Sequence, residues 1–157
     1  MTIVAAIVTP KGAWLGSDSV SSDGDVLNVM ATSKIGKFGG KLLGFAGSWD
    51  GHRIMEIARR HPDLTFSEIV FRSGTFDAGL SLLCVEAGQL YFVQTEKSMI
   101  RYAKKRGVVY GAAGSGEAVA LGSLYSWHDG REALLNSLKA AQEHVPTVRG
   151  PFKIVSI

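Results

Sequence analysis

The sequence predicts an α+β fold in which two β-sheets pack face to face and helix pairs cover both outer sides, a four-layer αββα sandwich. Three observations lead there. The stretch Thr2–Thr9 is almost continuously apolar, as a strand buried on both faces requires. Strand-like pieces outnumber helical ones and follow one another in hairpins, which argues against a doubly wound βαβ fold. Helical spacing occurs in two pairs of segments, each pair set between runs of strands.

Taken in order, Pro10-Lys11-Gly12 is a turn after the first strand, and Ala13–Ser17 is a second strand. A turn is expected over Ser21–Asp25. Strands follow at Val26–Met30, Lys34–Phe38 and Lys41–Ala46, with Gly39-Gly40 as the hairpin turn between the last two. The period then changes to that of a helix from Trp49 to His61, where Ile54, Ile57 and Ala58 share a face and Ser48 is available as N-cap. A shorter helix is expected over Phe66–Arg72. Strands return at Gly79–Val85 and Gln89–Gln94, joined through Ala87-Gly88, and near Gly107–Ala112. Two more helices cover Gly116–Trp127 and Arg131–His144, the latter with Leu134, Leu135, Leu138 and Ala141 on one face. Phe152–Ile157 is a closing strand.

The length of 157 residues suits one domain spanning 1–157 that buries about 70% of its unfolded surface, enough to fold without disulfides. A content of 46% hydrophobic and 20% charged residues argues against a disordered tail or a coiled coil. No apolar run reaches the length of about 18 residues that a membrane span needs, and the apolar N-terminus lacks the basic lead and cleavage site of a signal peptide. Cys84 is the lone cysteine, so neither an internal disulfide nor a CxxC metal clamp exists, and a cytoplasmic location is expected. The net charge of +3 is too small to imply nucleic acid, and Lys104-Lys105-Arg106 is the one tight basic cluster.

Several residues invite chemistry. Loss of Met1 would leave Thr2 at the terminus, where its free amine, with a pKa of about 7.7–8.0, can act as base for its own hydroxyl. Taken alone, a second-position threonine reads first as the start of a strand. Asp18 and Lys34 both stand at strand ends, where side chains can meet in a cleft. A lysine ammonium near a hydroxyl favours the deprotonated nucleophile, and a carboxylate keeps that lysine charged. Two unrelated surface residues would read the same. Gly47 lies where a strand meets a helix and its backbone N–H is a candidate oxyanion donor, although close helix–strand packing would also ask for glycine there. Gly114-Ser115-Gly116 joins a strand to a helix but lacks the lysine of a phosphate loop, and Ser115 also suits a helix N-cap. His52, His61, His128 and His144 lack metal-ligand spacing and are expected at the surface or at helix ends.

Together these segments resemble the proteasome β-type and HslV-like subunits of the N-terminal nucleophile hydrolase family. The resemblance rests on TIVAAIV from Thr2, GSDS around Asp18, SKIGKF around Lys34, LLGFAGSWD around Gly47 and GAAGSGEA around Ser115. It implies a threonine peptidase with Thr2 as nucleophile, Lys34 lowering its pKa, Asp18 holding Lys34, the Gly47 amide stabilising the oxyanion and Ser115 supporting the amine. By the same resemblance, Ser21, Thr32, Phe45 and Trp49 fall near the pocket for the substrate side chain, and Ser22 where an extended peptide is bound. Loss of activity with little loss of stability is expected for Lys34→Ala.

The resemblance further implies no metal or organic cofactor, a peptide or unfolded-protein substrate, a homo-oligomeric ring and a ring ATPase as partner, with no role for nucleic acid or membrane. Two departures stand out. Pro146–Pro151 holds no aspartate where many proteasome subunits have one, which favours the HslV-like branch, and Val20 stands where they commonly carry arginine. Two other readings remain at this stage. One is a non-catalytic ring or scaffold subunit that retains Met1, and the other is an amidase of the same nucleophile class acting on small amides.

Overall fold

The structure, a computed structural model, describes residues 3–23, 26–29, 33–94, 99–126 and 129–157, with the backbone alone at 21–23 and 26–29. Strand β1 (Ile3–Thr9) forms a hairpin with β2 (Gly12–Ser17) through the turn at Pro10-Lys11. On its other side it pairs antiparallel with β10 (Val109–Gly114). β11 (Lys153–Ser156) adds to β2, so the first sheet has the order β10-β1-β2-β11. The second sheet is a meander of β5 (Ile35–Phe38), β6 (Lys41–Ala46), β7 (Ser81–Glu86), β8 (Gln89–Val93) and β9 (Met99–Arg101) in that order. A separate hairpin joins β3 (Val20–Asp23) to β4 (Val26–Val29).

Alternation along the strands decides the layering. In β1, Val4, Ala6 and Val8 face the second sheet, where Ile35, Leu42, Leu83, Val85, Leu90 and Phe92 meet them. Ile3, Ala5 and Ile7 point the other way, onto Ala120 and Leu124 of α3 (Glu117–Ser126) and Leu134, Leu138 and Ala141 of α4 (Gly130–His144). The second sheet does the same. Leu43, Phe45, Leu82 and Cys84 cover Ile54 and Ala58 of α1 (Asp50–Arg60) and Phe66 and Ile69 of α2 (Phe66–Arg72). Three apolar layers thus separate four layers of secondary structure, as the unbroken apolar run of β1 requires. α2 is closed at its start by a capping box in which Thr65 accepts from the Glu68 amide and the Glu68 carboxylate accepts from Thr65.

The sequence-based boundaries differ from the structure in a few places. Ser21-Ser22-Asp23, expected as a turn, belongs to β3, because their extended backbone pairs with β4. β9 was not expected: its three residues are exposed and carry no alternating pattern. Helix α1 starts at Asp50 with Trp49 as N-cap. Ser48, expected in that role, accepts the Asp50 amide from one position earlier. No helix among the described residues is long and apolar enough to cross a membrane.

Two glycines test this packing in opposite directions. A Cβ on Gly44 would lie 2.8–3.2 Å from side-chain atoms of Ile35, Val4 and Leu15, between the sheets. Gly44→Ala is therefore expected to destabilise the chain by about 1–3 kcal/mol through overpacking. Gly122, exposed within α3, has open space at its Cβ. Gly122→Ala is expected to stabilise by about 0.5–1 kcal/mol through helix propensity. Urea unfolding of the two variants measures both effects.

Candidate active site

One edge of the sandwich gathers the start of β1, the end of β2, the end of β10 and the end of β6. Asp18, the residue after β2, holds the start of β1 in two ways. Its amide donates to the Ile3 carbonyl at 3.4 Å, and its Oδ1 accepts the Ile3 amide at 3.2 Å. Lys34 immediately precedes β5, and its carbonyl accepts the Phe45 amide of β6 at 3.1 Å. Its Nζ lies 2.9 Å from the same Asp18 Oδ1 and also donates to the Val20 carbonyl. The side chains are 3% and 0% exposed, so this is an ion pair taken almost wholly out of water.

Burial pulls the Lys34 ammonium below its ordinary value, while the Asp18 charge and hydrogen bond work against that fall. The group is thus a cation held in a dry site by the Asp18 carboxylate, the same oxygen of which accepts the Ile3 amide. Such a cation can lower the pKa of a neighbouring hydroxyl. Asp18 Oδ1 joins both partners and so ties the position of that charge to the position of β1.

Ser115 follows the last residue of β10, and Gly114 pairs with Ile3, so Ser115 stands at the same edge. Its hydroxyl lies 3.0 Å from the Thr147 hydroxyl. The sequence reading missed Thr147. It lies in the Pro146–Pro151 stretch noted there for its missing aspartate, and a hydroxyl in place of a carboxylate was the available signal.

Gly47 occupies the exposed turn between β6 and α1 with φ of +93°, and a Cβ there would overlap the Gly79 carbonyl oxygen. Both the left-handed backbone and the close approach call for glycine. Phe45 is buried in the core under α1, and Trp49 is 67% exposed at the start of that helix. His52 connects them, with its ring edge-on to Phe45 at 4.8 Å and stacked on Trp49 at 5.2 Å.

Among the described histidines, His61 and His144 stand at the C-terminal ends of α1 and α4, His128 lies outside the described residues, and His52 stands in the first turn of α1. Its Nε2 is buried and has no hydrogen-bond partner among the described residues, because the helical turn from Trp49 to His52 folds it over Phe45. Thr2 and Thr32 lie outside the described residues, as do the side chains of Ser21 and Ser22. The backbone of the last two lies in β3.

The buried pair revises the expected behaviour of Lys34→Ala. Removing the ammonium takes from the buried Asp18 carboxylate its lysine counter-charge, so this variant is expected to cost about 3–5 kcal/mol of stability. The double variant with Asp18→Ala is expected to cost less than the sum of the two single variants, as measured by denaturant unfolding.

His52 generates a pH prediction. Burial first, and the Lys34 charge second, hold its imidazole below the ordinary value of 6.5. As pH falls through that value, the unfolded chain takes up the proton before the folded chain does. This contribution to stability is therefore lost below about pH 6.5. Thermal unfolding between about pH 7.5 and about pH 5 is expected to show a shallower acid-side loss for His52→Gln than for the natural chain.

No protein-family model matches the chain, and no curated protein matches it. Solved structures do. Eukaryotic HslV from Trypanosoma brucei superposes with a TM-score of 0.79 at 16% identity, covering 98% of each chain. Thiobacillus denitrificans BPH in complex with epoxomicin gives 0.77 at 16% identity, covering 98% of this chain and 97% of that one. The Anbu complex from Pseudomonas aeruginosa, solved as a helical assembly, gives 0.75 at 14% identity, covering 99% of this chain and 80% of that one. The fold is that of HslV and Anbu.

Proposed function

We propose that the chain is a threonine-type peptidase subunit that acts after Met1 is removed. The carrying observation is the buried Lys34–Asp18 pair, bonded through Asp18 to the amide of Ile3, the residue after Thr2. A buried ion pair seldom repays its desolvation, so its bond to the amide of Ile3 favours a chemical role over a purely architectural one. That weighs against the non-catalytic scaffold reading.

In this reading the terminal amine of Thr2 takes the proton from its hydroxyl, and the Lys34 charge lowers the cost of forming the oxyanion nucleophile. The Thr2 oxygen attacks the scissile carbonyl, and the Gly47 amide receives the charge that develops on the carbonyl oxygen. Collapse expels the substrate amine, which leaves with a proton from the Thr2 ammonium, and an ester remains on Thr2. Water, deprotonated by the same amine, then hydrolyses that ester. Ser115, with Thr147 behind it, supports the amine. Trp49 and His52, with Phe45 beneath, offer an apolar wall to the substrate side chain, with Ser21, Ser22 and Thr32 as the remaining binding residues.

The Thiobacillus neighbour was solved with epoxomicin, an inhibitor that supports the hydrolase class for that protein. Helical assembly of the Pseudomonas neighbour supports a homo-oligomer here. Assembly in a closed chamber, delivery of unfolded substrate by a ring ATPase and a cytoplasmic setting belong to the same proposal.

Intact mass before and after a peptide epoxyketone tests the reading. The expected result is a chain lacking Met1 that gains one inhibitor per subunit, together with peptide hydrolysis that Thr2→Ala abolishes without dispersing the assembly. A chain that retains Met1 and takes no adduct would establish the scaffold reading instead. An adduct with turnover of small amides and no turnover of peptides would establish the amidase.

A further inference from the structure

The turn that carries the Gly47 amide is held by a loop distant in sequence. Residues 74–80, between α2 and β7, cross in front of the first turn of α1, and three hydrogen bonds close a ring there. The Ser48 hydroxyl donates to Asp77 Oδ2 at 3.0 Å, the Asp50 amide donates to the Ser48 oxygen at 3.2 Å, and the Asp77 amide donates to Asp50 Oδ2 at 3.1 Å. Arg53 adds a brace, donating to the Thr75 carbonyl at 3.0 Å while lying 3.7 Å from Asp50. Next to the ring, the left-handed Gly47 packs directly against the Gly79 carbonyl.

Asp77 is solvent-exposed, and bonds of this kind at a surface contribute little to global stability. What the ring does determine is local. Ser48 is bonded both to the loop and to the first residue of α1, so the orientation of the Gly47–Ser48 peptide segment follows the position of Asp77.

We propose that Asp77 is a positioning residue for the oxyanion turn, acting through Ser48 to hold the Gly47 amide at the angle that the tetrahedral intermediate requires. This rests on the peptidase reading above and extends it to a loop that supplies none of the residues assigned there to the reaction. A donor held in place at the oxyanion and not at the ground-state carbonyl affects turnover more than substrate binding. The loop thereby becomes part of the reaction, with its carboxylate as the acceptor that fixes the turn.

The test compares Asp77→Ala, Asp77→Asn and Ser48→Ala with the natural chain, using a peptide substrate and a peptide boronate that forms a tetrahedral adduct. For Asp77→Ala, kcat is expected to fall about 10- to 100-fold with KM nearly unchanged, and boronate affinity to fall by a similar factor. Asp77→Asn keeps an oxygen that accepts from Ser48 and is expected to restore most of both. Ser48→Ala is expected to behave as Asp77→Ala does, and it supplies the readout if Asp77→Ala fails to fold.

Unchanged kcat, a rise in KM alone, or an asparagine variant no better than alanine overturns the proposal while leaving the peptidase reading intact. A natural chain that takes no epoxyketone and cleaves no peptide overturns the peptidase reading and this inference with it.

Discussion

Asp18 Oδ1 accepts both the Ile3 amide and the Lys34 ammonium, and the rest of the site is arranged around that oxygen. Through it the first residue of β1 and the residue before β5 are held together across the gap between two sheets. Neither half of the arrangement is stable alone, since a buried carboxylate without its cation, or the reverse, costs several kcal/mol. The sandwich has to close correctly for the pair to form, and the pair in turn registers β1 against the second sheet.

The layering supplies the required rigidity. β1 is buried on both faces, with Val4, Ala6 and Val8 toward the second sheet and Ile3, Ala5 and Ile7 toward α3 and α4. A strand packed on both sides has little freedom to tilt, so the residue at its start is aimed by the whole core. The Gly47 turn has no such cover. It is exposed, and its geometry depends on backbone contact with Gly79 and on hydrogen bonds to the 74–80 loop. The two halves of the site are therefore held by different physics, one by desolvated charge and core packing, the other by a surface ring of hydrogen bonds.

Most of the fold was legible because its signals are local. The apolar run of β1, the Gly39-Gly40 hairpin and the helical spacing of α2, expected and observed over Phe66–Arg72, each follow from neighbouring residues. β9 and the strand character of Ser21–Asp23 were not legible, because short exposed strands owe their existence to a partner strand and not to their own pattern. The site divides in the same way. The types and order of Asp18, Lys34, Gly47 and Ser115 could be read from the chain, while His52, Thr147 and Asp77 could not. Each of those three gains meaning only from what lies across from it: Phe45 and Trp49, Ser115, and Ser48.

Periodicity along the chain was thus sufficient for the four-layer class, while Asp18 and Lys34 were candidates by chemistry and became a pair only through the family resemblance. The burial of that pair was decided in three dimensions, and with it the stability cost now expected for Lys34→Ala. The same holds for the desolvated imidazole of His52 and for the closure of the Asp77 ring. Desolvation and hydrogen-bond geometry depend on which segments meet, and segments 29 residues apart, such as Ser48 and Asp77, meet only when the sheets and helices have packed.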